Sequence, residues 1–199
     1  IMVALLAYRI IMINRTERTR VAKDVVLLHI TAASTILFYA LTLIHWKEAF
    51  AVMAYGLYFL CSDFLLMFFF IYLNDFTQET FVEKKGGIII TVFIIIDGIL
   101  CLINVFDRIL FSVTLSGSEA DGYYYKVSER TWLYTYHKLF VYAFVLLILI
   151  LVIYEIYKAA RIYVKQYYAI LDCFLFTVAL NVVYEILKLK FDYSILFYE

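Results

Sequence analysis

Apolar residues occur along this chain in runs of about twenty, and short charged segments separate the runs. The run from Ala51 to Asn74 is the clearest, since it holds no basic side chain and a single carboxylate, Asp63, near its middle. A bilayer core about 30 Å thick requires roughly 20 apolar residues of helix, each rising about 1.5 Å. This run is therefore predicted to be a transmembrane helix.

Five further runs repeat the pattern at other places in the chain. None shows the strict alternation of strands in a membrane barrel. The sequence therefore predicts an all-α fold, a polytopic membrane helix bundle. It would have five full spans plus the truncated first and last helices of a seven-helix region, all in one domain, 1–199. The predicted spans are residues 1–13, 25–45, 51–74, 88–106, 136–157 and 167–187, and a seventh is expected to begin near residue 194.

The composition supports a membrane protein and excludes other classes. Hydrophobic residues make up 66% of the chain and aromatic residues 20%, whereas soluble domains are only about 45–50% apolar. The lipid bilayer is thus the expected partner. Net charge is zero and no basic patch is interleaved with aromatics, so no nucleic acid partner is expected.

The longest connection is predicted between the fourth and fifth spans, at residues 107–135. Its centre, SGSEADG, is typical of a turn or loop. The flanking YYYKV and RTWLY are consistent with either a short hairpin or an interfacial helix.

Basic residues in the connections predict the orientation. Segments 14–24, 75–87 and 158–166 together hold nine Lys and Arg residues, and the opposite connections hold six. Because the more basic side of a membrane protein faces the cytoplasm, the N-terminal end is expected outside the cell membrane. A seventh helix would then place the C-terminus inside.

Two aspartates lie midway along predicted spans, Asp63 in the third and Asp97 in the fourth. These spans are antiparallel neighbours in sequence, so the carboxyls are expected at similar depth, and Asn104 follows on the face of Asp97. A charge at the bilayer centre costs about 2.5–3.5 kcal/mol on insertion scales. The residues are expected either to line a polar cavity that binds a ligand, a cation or a shared proton, or to hold the helices together by hydrogen bonds.

Asn181 and Glu185 lie four residues apart in the sixth predicted span and so share one face. One interpretation is that they form the floor of an outward-facing site. The other is that Asn181 joins helices while Glu185 is solvated at the interface. Candidate ligand-binding residues are therefore Asp63, Asp97, Asn104, Asn181 and Glu185.

Histidines and cysteines give no metal signature in the sequence. His45 and His137 fall at span ends, where interfacial polar residues are common, although a metal-binding or pH-sensing pair is an alternative. The three cysteines lie within spans, none at metal-ligand spacing from another, and are interpreted as small apolar fillers. No metal, no cofactor and no catalytic residue are expected in this segment.

Three stretches resemble the N-terminal seven-helix membrane region of some bacterial histidine kinases. The first, AVMAYGLYFLCSDFLLMFFFIYLNDFT, resembles the third helix of that family. The second, KVSERTWLYTYHKLFVYAFVLLILIL, resembles its loop and fifth helix, with an aromatic–His–aromatic start. The third is ARIYVKQYYAILDCFLFTVALNVVYEIL followed by KFDYSILFYE, similar to the sixth helix and the start of the seventh.

The resemblance implies a sensor or signal-relay module responding to a small-molecule or physical signal. The output domain would follow in the same chain, on the cytoplasmic side, as a histidine kinase or a diguanylate cyclase. A homodimer is implied for a kinase output. The alternative is a small transporter or channel, although no matching pair of helices broken by Gly or Pro indicates a transport site.

Overall fold

A computed structural model describes residues 7–8, 10, 20–44, 47–77, 84–118, 122–159, 161–187, 191–192 and 194. Five long helices account for most of this part of the chain. They are α1 (Arg20–Thr42), α2 (Glu48–Thr77), α3 (Lys84–Asp107), α4 (Trp132–Lys158) and α5 (Arg161–Leu187). Each contains a stretch of at least 21 residues that is long and apolar enough to cross a membrane.

The length of α2 exceeds what a membrane span requires. Its 30 residues extend about 45 Å, against a hydrocarbon core about 30 Å thick. The helix must therefore tilt or project from the bilayer. It also occupies the centre of the described bundle, because α1, α3 and α4 all pack against it.

Two clusters of buried side chains hold the bundle together, one in each half. The first lies where α2 begins and includes Tyr55, Phe59 and Tyr134. The second lies toward the other end of α2 and includes Phe70, Phe144 and Ile148. Many other apolar side chains on the same helices are exposed, as expected of surfaces that face lipid.

A β-hairpin closes one end of the bundle between α3 and α4. Its antiparallel strands are β1 (Phe111–Ser118) and β2 (Gly122–Arg130). Phe111 and Val113 of β1 are buried in the first cluster. The hydroxyl of Tyr55 in α2 also donates to the backbone carbonyl of Tyr125, at 3.0 Å, so the hairpin is part of the packed core.

The end of α3 is joined to the hairpin by one side chain. Arg108 adopts a left-handed backbone conformation with φ 52°, which reverses the chain. The side-chain oxygen Oδ1 of Asn104 then accepts from the backbone N–H groups of Leu110 and Phe111, at 2.7 and 3.1 Å. Its amide nitrogen donates to the Phe111 carbonyl at 3.2 Å, so all three bonds serve the turn.

The predicted fold class, an all-α membrane bundle, is confirmed. Helices α2 to α5 cover the third to sixth predicted spans and extend a few residues beyond most of the predicted limits, whereas α1 ends at Thr42, short of the predicted end of the second span at residue 45. Of the predicted first span, Ala7, Tyr8 and Ile10 are described, and all are helical. The remainder of that span, His45, and most of the predicted start of a seventh helix lie outside the described residues. The 107–135 connection forms the hairpin, the first of its two predicted alternatives.

Candidate functional site

Two glycines bring α2 and α3 into close contact. A methyl group added at Gly56 would lie 2.9 Å from the backbone carbonyl oxygen of Cys101, and one at Gly98 would lie 2.6 Å from a methyl of Leu60. Small residues commonly allow such close approach between membrane helices. The short distance between the backbones brings polar groups of the two helices to the same interior point.

Four side chains with metal-ligating atoms meet at this point. Asp63 comes from α2, Asp97 and Cys101 lie one turn apart on α3, and His137 comes from the second turn of α4. One donor atom of each lies within 4.8 Å of the donor atoms of the others. All four residues are at most 3% exposed, and we refer to them as the four-residue cluster.

Within the cluster, only one polar contact is satisfied as a hydrogen bond. His137 Nδ1 lies 2.5 Å from Asp97 Oδ2, which forms a buried ion pair when the imidazole is protonated. Both carboxyl oxygens of Asp63 and the second oxygen of Asp97 have no hydrogen-bond partner. Because an unpaired buried carboxylate is very costly, the cluster requires a further cation or a bound proton.

Aromatic rings shield the imidazole of His137. The Phe59 ring meets it edge-on, with centroids 5.1 Å apart, and the Tyr134 ring lies 6.2 Å away. The Lys138 ammonium lies over the same two rings, at 5.9 and 5.7 Å from their centroids. The ammonium group is therefore held over the two rings that cover the imidazole.

A cavity of about 490 Å³ adjoins the cluster between α1, α2, α4 and α5. Most of its lining is apolar. Asp63 and His137 form part of its wall, as do Tyr142 and Asn181. The cavity volume lies within the roughly 300–1,000 Å³ range of small-molecule sites, which combine apolar walls with a few polar groups.

Asn181 connects the cavity wall to the segment that follows α5. Its side-chain oxygen accepts from the Tyr142 hydroxyl of α4 at 3.0 Å, and its amide donates to the Asp192 carboxylate at 2.9 Å. The same carboxylate accepts from the backbone N–H and the hydroxyl of Ser194. The backbone N–H of Asp192 donates to the Tyr39 hydroxyl of α1. Three helices are thus joined around one buried carboxylate.

The five candidate residues from the sequence occupy different places. Asp63 and Asp97 meet in the cluster, and Asn181 lies in the cavity wall. Asn104 is fully buried, but its side chain is engaged by the hairpin turn. Glu185 lies in α5, and its side chain is outside the described part of the structure.

His137 and Cys101 also belong to the site, and the sequence did not indicate either of them. The interpretation of His137 as an interfacial residue is wrong, because it is 3% exposed and lies among three helices. The available signal for Cys101 was its spacing of four residues from Asp97, which puts both on one helical face. No local signal associates His137 with them.

Comparison with protein families gives a match over nearly the whole chain. Residues 1–197 match the family described as the N-terminal 7TM region of histidine kinase. The chain belongs to this family. Comparisons with curated proteins and with solved structures find no match.

Membership of the histidine kinase 7TM family agrees with the resemblance expected from the sequence. Together with the five apolar helices, it identifies an integral membrane protein and a membrane sensor region of the histidine kinase type. Such a region is not itself catalytic. Its interior sites are therefore candidates for recognising a signal.

Proposed function

We propose that this region detects an outer-side or intramembrane signal in the cavity among α1, α2, α4 and α5, and relays it to a C-terminal cytoplasmic output domain. The family membership supports the sensing part. A transporter is the weaker alternative, because the family is one of signalling proteins.

The observation that best supports the proposed relay is that Asn181 makes contacts on both sides, with the cavity and with the segment after α5. Its side chain contributes to the cavity wall, and its amide holds Asp192 beyond the end of α5. A ligand that hydrogen-bonds to Asn181 or to Tyr142 would compete with this contact. Binding would then favour one position of the chain after α5, since a ligand shifts an equilibrium only through different affinities for the two states.

The lining favours a small amphipathic molecule. Apolar side chains such as Leu66, Val145 and Phe174 would pack against its body, and His137 or Asn181 would bond to one polar group. In the proposed orientation, the hairpin end lies outside and the basic segments 75–87 and 158–166 lie inside. The bilayer and the output domain in the same chain are the proposed partners, with a homodimer for a kinase output.

Filling the cavity tests this proposal in the full-length protein in native membrane vesicles. Val145→Trp introduces a large ring into the cavity wall. Leu146→Trp introduces the same ring one position along α4, where the side chain is 55% exposed. We expect Val145→Trp to change phosphate transfer from ATP to the output domain several-fold, and Leu146→Trp to leave it near the wild-type level.

The measurement is phosphorylation at equal amounts of membrane-inserted protein, so that loss of expression is not mistaken for loss of signalling. Equal phosphorylation in both variants and wild type would contradict a role for the cavity. A full-length chain with no cytoplasmic output domain would contradict the relay itself.

A further inference from the structure

We propose that Asp63, Asp97, Cys101 and His137 form a binding site for a divalent transition metal ion, with Zn²⁺ as the ion that fits best. The site would lie in the interior, where α2, α3 and α4 meet. This metal site is distinct from the ligand site proposed in the cavity, although Asp63 and His137 also form part of the cavity wall.

The types of donor select the class of ion. The cluster offers one sulfur, one imidazole nitrogen and two carboxylates. Calcium and magnesium are bound by oxygen ligands, and a thiolate with an imidazole favours zinc and related transition ions. Four protein donors also match the four-coordinate geometry of structural zinc sites.

The distances require little rearrangement. Ligands of a tetrahedral zinc ion, bound at about 2.0–2.3 Å, lie roughly 3.3–3.8 Å from one another. The four donor atoms are already within 4.8 Å of each other. Each side chain would need to move inward by only about 1 Å to bind an ion at that geometry, which small rotations of the side chains can provide.

Buried carboxyl oxygens without hydrogen-bond partners independently favour a bound ion. Asp63 is 2% exposed, and neither of its carboxyl oxygens has a hydrogen-bond partner. Asp97 keeps one oxygen on His137 and has the other unpartnered. An ion at the centre would satisfy the unpartnered oxygens and offset the carboxylate charge.

The competing occupant is a proton shared by the two carboxyls. Two like charges at this separation favour protonation of one of them, and that explanation gives Cys101 no role. A metal ion would instead bind the Cys101 thiolate directly. The two explanations therefore differ at the cysteine, and a thiolate–metal bond has a spectroscopic signature.

Cobalt substitution of the purified full-length protein provides the test. Co²⁺ bound by a thiolate gives a charge-transfer band in the near ultraviolet, and a tetrahedral site gives strong bands in the visible. Residues 1–199 contain three cysteines, so the double variant Cys61→Ser, Cys173→Ser retains only Cys101 in this region. A band that comes from cysteines elsewhere in the full-length chain would persist in Cys101→Ser. We expect this variant to keep the charge-transfer band and to bind one Zn²⁺ per chain by elemental analysis after dialysis.

Two further variants distinguish a bound metal ion from a proton shared by the two carboxyls. Cys101→Ser should abolish the band, and Asp63→Asn should weaken Zn²⁺ binding roughly tenfold or more, at least as much as loss of an outer partner does. Absence of the band in the wild type, or its absence in the double variant, would overturn the proposal even where Cys101→Ser fails to fold. Retention of Zn²⁺ without a thiolate band would also overturn the four-residue site.

The outcome is separable from that of the cavity experiment. Val145 lies in the cavity wall but is not a donor to the ion. If no metal ion binds, Val145→Trp can still alter the output, and the proposed function would stand without the metal site. If a metal ion binds and Val145→Trp has no effect, the metal site would stand without the proposed role of the cavity.

Discussion

Buried polar side chains in the helices differ in whether the protein provides hydrogen-bond partners for them. Asn104 and Asn181 both bond to groups outside their own helices, so each joins separate parts of the chain. Asp63 differs, because neither of its carboxyl oxygens has a partner. Since burying an unpaired carboxylate is so costly, Asp63 is the residue that most requires an occupant of the site.

Loss of the Asn104 amide should destabilise the protein through the hairpin. Asn104→Ala leaves two backbone N–H groups and one carbonyl without their bonds, and each buried unpaired group costs about 1–3 kcal/mol. We expect a loss of about 3 kcal/mol in the free energy of unfolding, allowing for partial rearrangement, measured by denaturant titration in detergent.

Asn74 offers the matched control for this variant. It also lies in a long helix, but its side-chain oxygen has no hydrogen-bond partner. Asn74→Ala should therefore cost well under half as much as Asn104→Ala. Equal costs for the two variants would mean that the turn contacts of Asn104 contribute little.

The sequence identified only two of the four residues of the cluster, because residue types differ in how clearly they stand out within an apolar run. Asp63 and Asp97 were found because a carboxylate inside a long apolar run is conspicuous. His137 lies near the start of its span and Cys101 is chemically close to an apolar residue, so neither stands out. Their meeting depends on which helices are neighbours, and no local pattern specifies that.

At the level of elements, the helices were predictable because bilayer thickness sets their length and lipid requires internal backbone hydrogen bonds. The hairpin was one of two alternatives, since Gly and Ser at 116–118 indicate a turn but not the pairing around it. The central position of α2 was not predictable, because its apolar residues surround the helix without a distinct face. Gly56 and Gly98 decide which side of α2 approaches α3.

Substitution of Gly56 should separate α2 from α3. The added methyl of Gly56→Ala would lie 2.9 Å from the Cys101 carbonyl, which is backbone and cannot easily move aside. Overpacking of this kind costs about 1–3 kcal/mol. At Gly87, by contrast, a methyl meets nothing within 4 Å, and alanine is favoured over glycine in a helix by about 1 kcal/mol.

Thermal unfolding of the two variants distinguishes the contact from helix propensity. We expect Gly56→Ala to lower the melting temperature and Gly87→Ala to leave it unchanged or raise it. If the four-residue cluster binds Zn²⁺, Gly56→Ala should also weaken that binding, because it displaces α2 relative to Cys101. A melting temperature that rises in both variants would contradict the close contact at Gly56.

For the whole molecule, the two ends of the described bundle differ in chemistry. One end carries the hairpin, an exposed Glu48–Arg108 ion pair and the Asp192 network. The other carries the basic segments that predict the cytoplasmic side, including Lys158 at the end of α4. Orientation therefore determines whether the hairpin or the basic end meets the output domain.

Labelling of single cysteines in intact cells decides the orientation. Cys61 and Cys173 are first replaced by serine, whereas Cys101 is kept because it is buried and out of reach of the reagent. One cysteine is then introduced at Ser118 in the hairpin or at Lys158, both of which are exposed. Because basic connections remain in the cytoplasm, a membrane-impermeant maleimide should label Ser118→Cys in intact cells and Lys158→Cys only after permeabilisation. The reverse pattern would place the hairpin inside, and the signal would then have to reach the cavity from the cytoplasm or the bilayer.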